Sequence, residues 1–90
     1  MVSSMLKASD RIADVRFDED HLIVDFIDGR TLAVPLAWFP ILLHATSEER
    51  KQWELSAAGF GIHWPLLDED LSASGLLQGI PSVQRRPLAA

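Results

Sequence analysis

Along residues 12–36, IADVRFDEDHLIVDFIDGRTLAVPL, apolar and polar positions alternate. Val15 and Phe17 fall on one face of a first extended segment. Leu22, Val24 and Phe26 share one face of a second, and Leu32 and Val34 one face of a third. A period of two marks strands with one face buried and one in water. The breaks are short and polar. Asp18-Glu19-Asp20 makes the first turn and Asp28-Gly29 the second, where glycine supplies the positive φ of a tight hairpin. Residues 12–35 therefore predict a three-stranded antiparallel meander.

Pro35 cannot donate to a ladder and ends the third strand. In AWFPILLHA, Pro40 suits a first helical turn, so a short helix is expected over 37–45. Thr46 stands three residues before Glu49, the capping-box spacing, and predicts a second short helix over 47–53 with Trp53 on its core side. WELSAAGFGIHW carries Gly59 and Gly61 between two apolar pieces and reads as a second, smaller hairpin. There Phe60, Ile62 and Trp64 share one face, and Gly61 and His63 the other. Pro65 forces Trp64 to be extended and ends that strand. The segment 70–78 predicts a C-terminal helix stopped by Gly79. The order gives an α+β class: meander, two short helices, second small hairpin, C-terminal helix. One small domain is expected over residues 10–80, with flexible tails at 1–9 and 81–90.

Composition narrows the classes. Ninety residues leave room for one small core, and 48% hydrophobic content is that of a globular chain. Without cysteine there is no disulfide, no thiolate nucleophile and no cysteine-based zinc site. The apolar run TLAVPLAWFPILL holds two prolines and is too short to span a bilayer. The expectation is a cytoplasmic protein without membrane association. A net charge of −5 disfavours general nucleic-acid binding and suits a basic protein partner.

The densest chemistry lies in GIHWPLLDED, residues 61–70, with a histidine, a tryptophan and three carboxylates. A metal or acid–base site would group His63 with Asp68, Glu69 and Asp70. The stronger signals, two histidines at helical spacing or cysteine pairs, are missing from the sequence. Capping accounts for more: Asp68 as N-cap of the following helix, with Glu69 and Asp70 in its first turn where the dipole favours negative charge. No catalytic residue, metal ligand or cofactor is therefore assigned. His63, Trp64, Asp68, Glu69 and Asp70 are retained as a candidate interaction surface. His21 is expected beside a turn and His44 at the end of the first helix. Trp38, Phe39, Trp53, Phe60 and Trp64 are expected to fill the core rather than line a recognition pocket. QRRP at 84–87 reads as a solvated tail.

FIDGRTLAVPLAWFPILLHATSEERKQWELSAAGFGIHWPLLDEDLSASGLLQG resembles the uncharacterised bacterial family catalogued as domain of unknown function 2442. The shared pattern is the DGR hairpin, a PL-WFP-L--AT-EER--WEL segment and a G-GIHWP-LDEDLS--GLL-G finish. The resemblance spans about residues 12–79. It implies a small α+β fold of the kind seen in the N-terminal domain of the nitrosomonad founding member, in a family for which no enzymatic activity is established. It also implies a gene context like that of a toxin–antitoxin operon, with this chain in the antitoxin-like place. Some relatives add a helix-turn-helix domain, which is expected to be absent after Gly79.

The leading expectation is a non-enzymatic interaction module with a protein partner, antitoxin-like toward a neighbouring small protein. The exposed acids Glu19, Asp20, Asp68 and Glu69 would carry its electrostatics. One alternative is a DNA-associated transcriptional regulator. Another is a small metal-dependent enzyme using His63 with Asp68 or Asp70. Sheet edges of a small meander also make a second copy of the chain a candidate partner.

Overall fold

The computed structural model describes residues 7–81. Strands β1 (Ile12–Phe17), β2 (His21–Phe26) and β3 (Thr31–Pro35) form the expected antiparallel meander in the order β1-β2-β3. In the first turn the Asp18 carboxylate accepts from the backbone N–H groups of Asp20 (2.8 Å) and His21 (2.7 Å). In the second, Gly29 takes φ +98°, and its N–H donates to the Phe26 carbonyl at 3.0 Å. That φ is open to glycine at little steric cost.

Alternation does not hold throughout β1. Ile12 pairs with Phe26 and Asp14 with Asp25, so the ladder is irregular at Ala13. This bulge brings Ile12 and Val15, three residues apart, to the same buried side. Beyond it the sheet reads as the sequence does. Val15, Leu22, Val24, Phe26 and Val34 are buried, and Phe17 and Leu32 pack against them.

The connection to the second sheet is broken into short pieces. The expected helix over 37–45 is a 3₁₀ turn at Leu36–Trp38 followed by α1 (Pro40–Leu43). The interruption falls at Phe39, whose φ/ψ of −128° and 82° is non-helical, as suits a residue before a proline, for which the α region is disfavoured. The second helix, α2 (Ser47–Lys51), begins with the predicted capping box. Thr46 Oγ1 accepts from the Glu49 N–H (3.0 Å), and Glu49 Oε1 accepts from the Thr46 N–H (2.9 Å). It ends at Lys51 rather than at Trp53, which is half-buried against the core.

The second sheet corrects the expected chain ending. It has three strands, β4 (Glu54–Ser56), β5 (Gly61–Trp64) and β6 (Glu69–Ser72), in the order β4-β5-β6. The helix α3 (Ala73–Gln78) starts after β6, so residues 70–72 are strand rather than helix. Asp68 is not an N-cap. It takes φ +52° in the turn joining β5 to β6, a left-handed conformation that aspartate tolerates better than most residues. The cap is Ser72, whose Oγ accepts from the Gly75 N–H at 3.0 Å. Gly79 closes α3 as expected, at φ +78°.

The two sheets and the intervening turns share one core. Leu36, Phe39 and Leu42 join Ile62 and Trp64 of β5, Ala73 and Leu76 of α3, and the buried face of the meander. The Phe17 and Trp64 rings meet edge to face, with centroids 6.4 Å apart. Phe39 and Trp64 are core residues as expected, and Trp38 and Trp53 are half-buried, but Phe60 is exposed beneath the Arg11 guanidinium. Of the expected tails, residues 1–6 and 82–90, QRRP among them, lie outside the described residues. Ser9 is tied to the body through its N–H and the Asp28 carboxylate (2.9 Å).

Candidate functional site

Of the five residues singled out in the sequence, Asp68 lies in a turn and the other four divide between the two faces of the second sheet. Register pairs Trp64 with Glu69 on the inner face, and both are 0% exposed. Neither lies on an exposed surface, and Glu69 cannot be an exposed acid steering a partner. It reaches the interior because the turn at 65–68 returns the chain as a strand, where a helix would have left it in a solvated first turn.

On the outer face, Glu54, His63 and Asp70 form one cross-strand row. His63 Nδ1 lies 2.8 Å from Asp70 Oδ1. The neighbouring row is Ser56, Gly61 and Ser72, and the Ser56 Oγ lies where a Cβ on Gly61 would clash, at 2.7 Å. Asp68 stays in the turn, and no hydrogen bond joins it to His63. Among the described residues no group of three His, Cys, Asp or Glu is placed to hold a metal ion. His21 pairs with Asp18 at 3.1 Å beside the first turn, and His44 caps α1.

A different place has the shape of a binding site. An open groove of about 340 Å³ lies between the end of β1 and α2, lined by Val15, Arg16, Phe17, Asp18, Ser47, Arg50, Lys51 and Trp53. The last three residues of β1, and Asp18 of the turn after it, line it. Because successive side chains of a strand point to opposite faces, the groove follows the strand's edge rather than one face. Arg50 holds the opposite wall. Its Nε and Nη2 donate to the carbonyls of Leu42 (2.8 Å) and Leu43 (2.9 Å), satisfying the C-terminal end of α1. Its guanidinium stands 5.7 Å from the centroid of the Phe17 ring.

The groove is positive in an acidic chain. Three of the six basic residues between 7 and 81 line it, against the single carboxylate of Asp18. Arg16 is held by a two-point pair with Asp25 (2.8 and 2.9 Å), and the hydrogen bond and charge of Asp25 raise its pKa. The Asp18 carboxyl is held below its ordinary value, chiefly by the Asp20 N–H. The sequence reading missed this site because it joins residues 15–18 to 47–53 through tertiary packing. The only local trace is Arg50-Lys51 beside Trp53, which reads equally well as a helix end.

These features define a small α+β protein: two three-stranded antiparallel sheets around a common core, with a cationic groove at one strand edge. The chain belongs to the family described as "Protein of unknown function (DUF2442)", whose model matches residues 12–82. It is similar to a protein of unknown function from Rhodospirillum rubrum, known from a crystal structure. The two are 37% identical over 79% of this chain and 88% of that one, with a TM-score of 0.70. It is also similar to an uncharacterised protein from Chromobacterium violaceum, known from a solution NMR structure. Here identity is 26% over 89% of this chain and 79% of that one, with a TM-score of 0.70. No curated protein matches the chain. No helix among the described residues is long and apolar enough to cross a membrane.

Proposed function

We propose that this chain is a cytoplasmic, non-enzymatic protein-interaction module, acting as the antitoxin-like partner of a neighbouring small protein. The observation that carries the reading is the groove between β1 and α2. It is open, has aromatic side chains among its lining, and gathers half of the described basic residues of a chain whose net charge is −5. Charge concentrated against the sign of the whole molecule favours one orientation of an oppositely charged partner. The sequence reading placed the electrostatics on exposed acids; the groove moves the emphasis to cations meeting an acidic surface.

The test is co-expression with the product of the adjacent gene. A stable stoichiometric complex, and relief of any growth arrest that product causes alone, is the expected result. Failure of the two chains to associate at low salt would remove the antitoxin-like role.

A further inference from the structure

β1 is an edge strand of its sheet, with β2 on one side and no strand on the other among the described residues. The hairpin register fixes which backbone groups look outward. The Asp18 N–H donates to the His21 carbonyl at 3.1 Å, and the pairs continue as Phe17 with Leu22, Arg16 with Ile23 and Val15 with Val24. Hydrogen-bonded and non-hydrogen-bonded pairs alternate in an antiparallel ladder. Asp18 and Arg16 therefore bond to β2, while the N–H and C=O groups of Val15 and Phe17 point away from it. No backbone hydrogen bond among the described residues engages those outward groups. The bulge at Ala13 ends the regular edge on one side and the turn at Asp18 ends it on the other. Val15 to Phe17 is also the stretch that lines the groove.

Resting on the reading of the chain as an interaction module, we propose that its partner binds as an extended acidic segment, added as a strand to the Val15–Phe17 edge of β1 and held against α2. Backbone groups of an unpaired edge are matched by another extended backbone, and alternate side chains of that strand then face opposite ways. One set meets Phe17 and Trp53. The other runs toward Lys51, which calls for carboxylates, since Arg16 is already paired with Asp25 of β2. A second copy of this chain fits the edge less well. A two-fold pairing of β1 with β1 sets groove against groove and brings like charges together.

The experiment selects short random peptides displayed on phage against the full chain. The enriched peptides are then followed by amide hydrogen exchange in NMR. The expected sequences alternate carboxylate and apolar residues. Their binding protects the amides of Val15 and Phe17, leaves the already bonded amide of Arg16 unchanged, weakens with salt, and falls about tenfold or more in Lys51→Glu. Lys51 is exposed at the end of α2, so that variant keeps the fold. Peptides that protect the Glu54–His63–Asp70 row instead, or that ignore Lys51→Glu, would overturn the proposal, as would a selection that enriches nothing. Protection of Val15 and Phe17 in the chain alone that fades on dilution would assign the edge to a second copy and overturn it too. The same amides, followed in the complex with the adjacent gene product, separate the two readings. A tight complex that leaves them unprotected rejects strand addition and keeps the module. Absence of that complex, with peptides still bound at the edge, rejects the antitoxin-like role alone.

Discussion

The indole Nε1 of Trp64 donates a hydrogen bond of 3.1 Å to the backbone carbonyl of Arg50. One bond thus ties β5 of the second sheet to α2, while the side chain of the same arginine ties α2 to α1 and lies over Phe17 of the first sheet. Trp64 is wholly buried, so its N–H would be stranded without that carbonyl. Trp64→Phe removes the donor, strands the carbonyl and opens a gap beside Phe17. It should cost about 2–3 kcal/mol, read from the urea midpoint. Arg50→Lys keeps the charge but loses the fork that reaches two carbonyls, and should cost about 1 kcal/mol. A Trp64→Phe variant as stable as the parent would show that the indole bond contributes nothing.

The boundary between β6 and α3 gives a second prediction. Ser72, not Asp68, caps α3, and Asp68 holds a left-handed turn. Ser72→Ala should therefore lower stability by about 1 kcal/mol. Asp68→Gly should leave stability unchanged or raise it, since glycine adopts positive φ without the steric penalty. Thermal melts of the two variants check this. Loss of stability in Asp68→Gly with none in Ser72→Ala would restore the helix start that the sequence suggests.

That boundary also shows what the sequence could and could not convey. The meander was legible because Leu22, Val24, Phe26, Leu32 and Val34 keep a strict period of two between turns marked by aspartate and glycine. The capping box at Thr46 and Glu49 was legible because both partners lie within one turn. The stretch DEDLS was not, since an aspartate followed by acids satisfies the rules for a helix start as well as those for a hairpin turn. What decides it is tertiary. Leu71 pairs with Ile62 and packs on the core, which carries the chain on as a strand and takes Glu69 inside with Trp64. The same limit hid the bulge that turns Ile12 inward. It hid the groove as well, since no local pattern connects Phe17 to Arg50.

The loop between β4 and β5 stores backbone strain. Ala57, Ala58 and Gly59 have φ of 51°, 57° and 94° in succession. Left-handed backbone disfavours any residue with a Cβ by roughly 1–2 kcal/mol, partly offset in glycine by its greater freedom when unfolded. Ala58→Gly should therefore raise stability, by up to about 1 kcal/mol. The reverse change at Gly59 should be harmful twice over, because a Cβ there would lie 2.6 Å from the Cγ of Arg11 as well as at positive φ. Chemical denaturation of both variants reads the two signs. An Ala58→Gly variant less stable than the parent would remove the strain.

The outer face of the meander carries a pH dependence whose sign follows from Asp25. Its carboxylate accepts two hydrogen bonds from Arg16 (2.8 and 2.9 Å) and one from the Thr31 hydroxyl (2.7 Å). The Arg16 bonds first, then that of Thr31, hold its pKa down from 3.8 to about 2 against a smaller opposing effect of burial. A pKa lower in the folded chain than in the unfolded one means that the unfolded chain takes up the proton first. The stabilisation is therefore complete above the unfolded value and is lost as pH falls through the folded one. For Asp25 alone, the loss runs from roughly pH 4 to pH 2. Asp28 adds in the same direction, its carboxyl lowered chiefly by the Ser9 N–H and then by that of Arg30. Asp25→Asn should lower stability at neutral pH and flatten the acid limb of the melting temperature in that window. Thr31→Val should flatten it less. An acid limb as steep in Asp25→Asn as in the parent would mean that other carboxylates control acid unfolding.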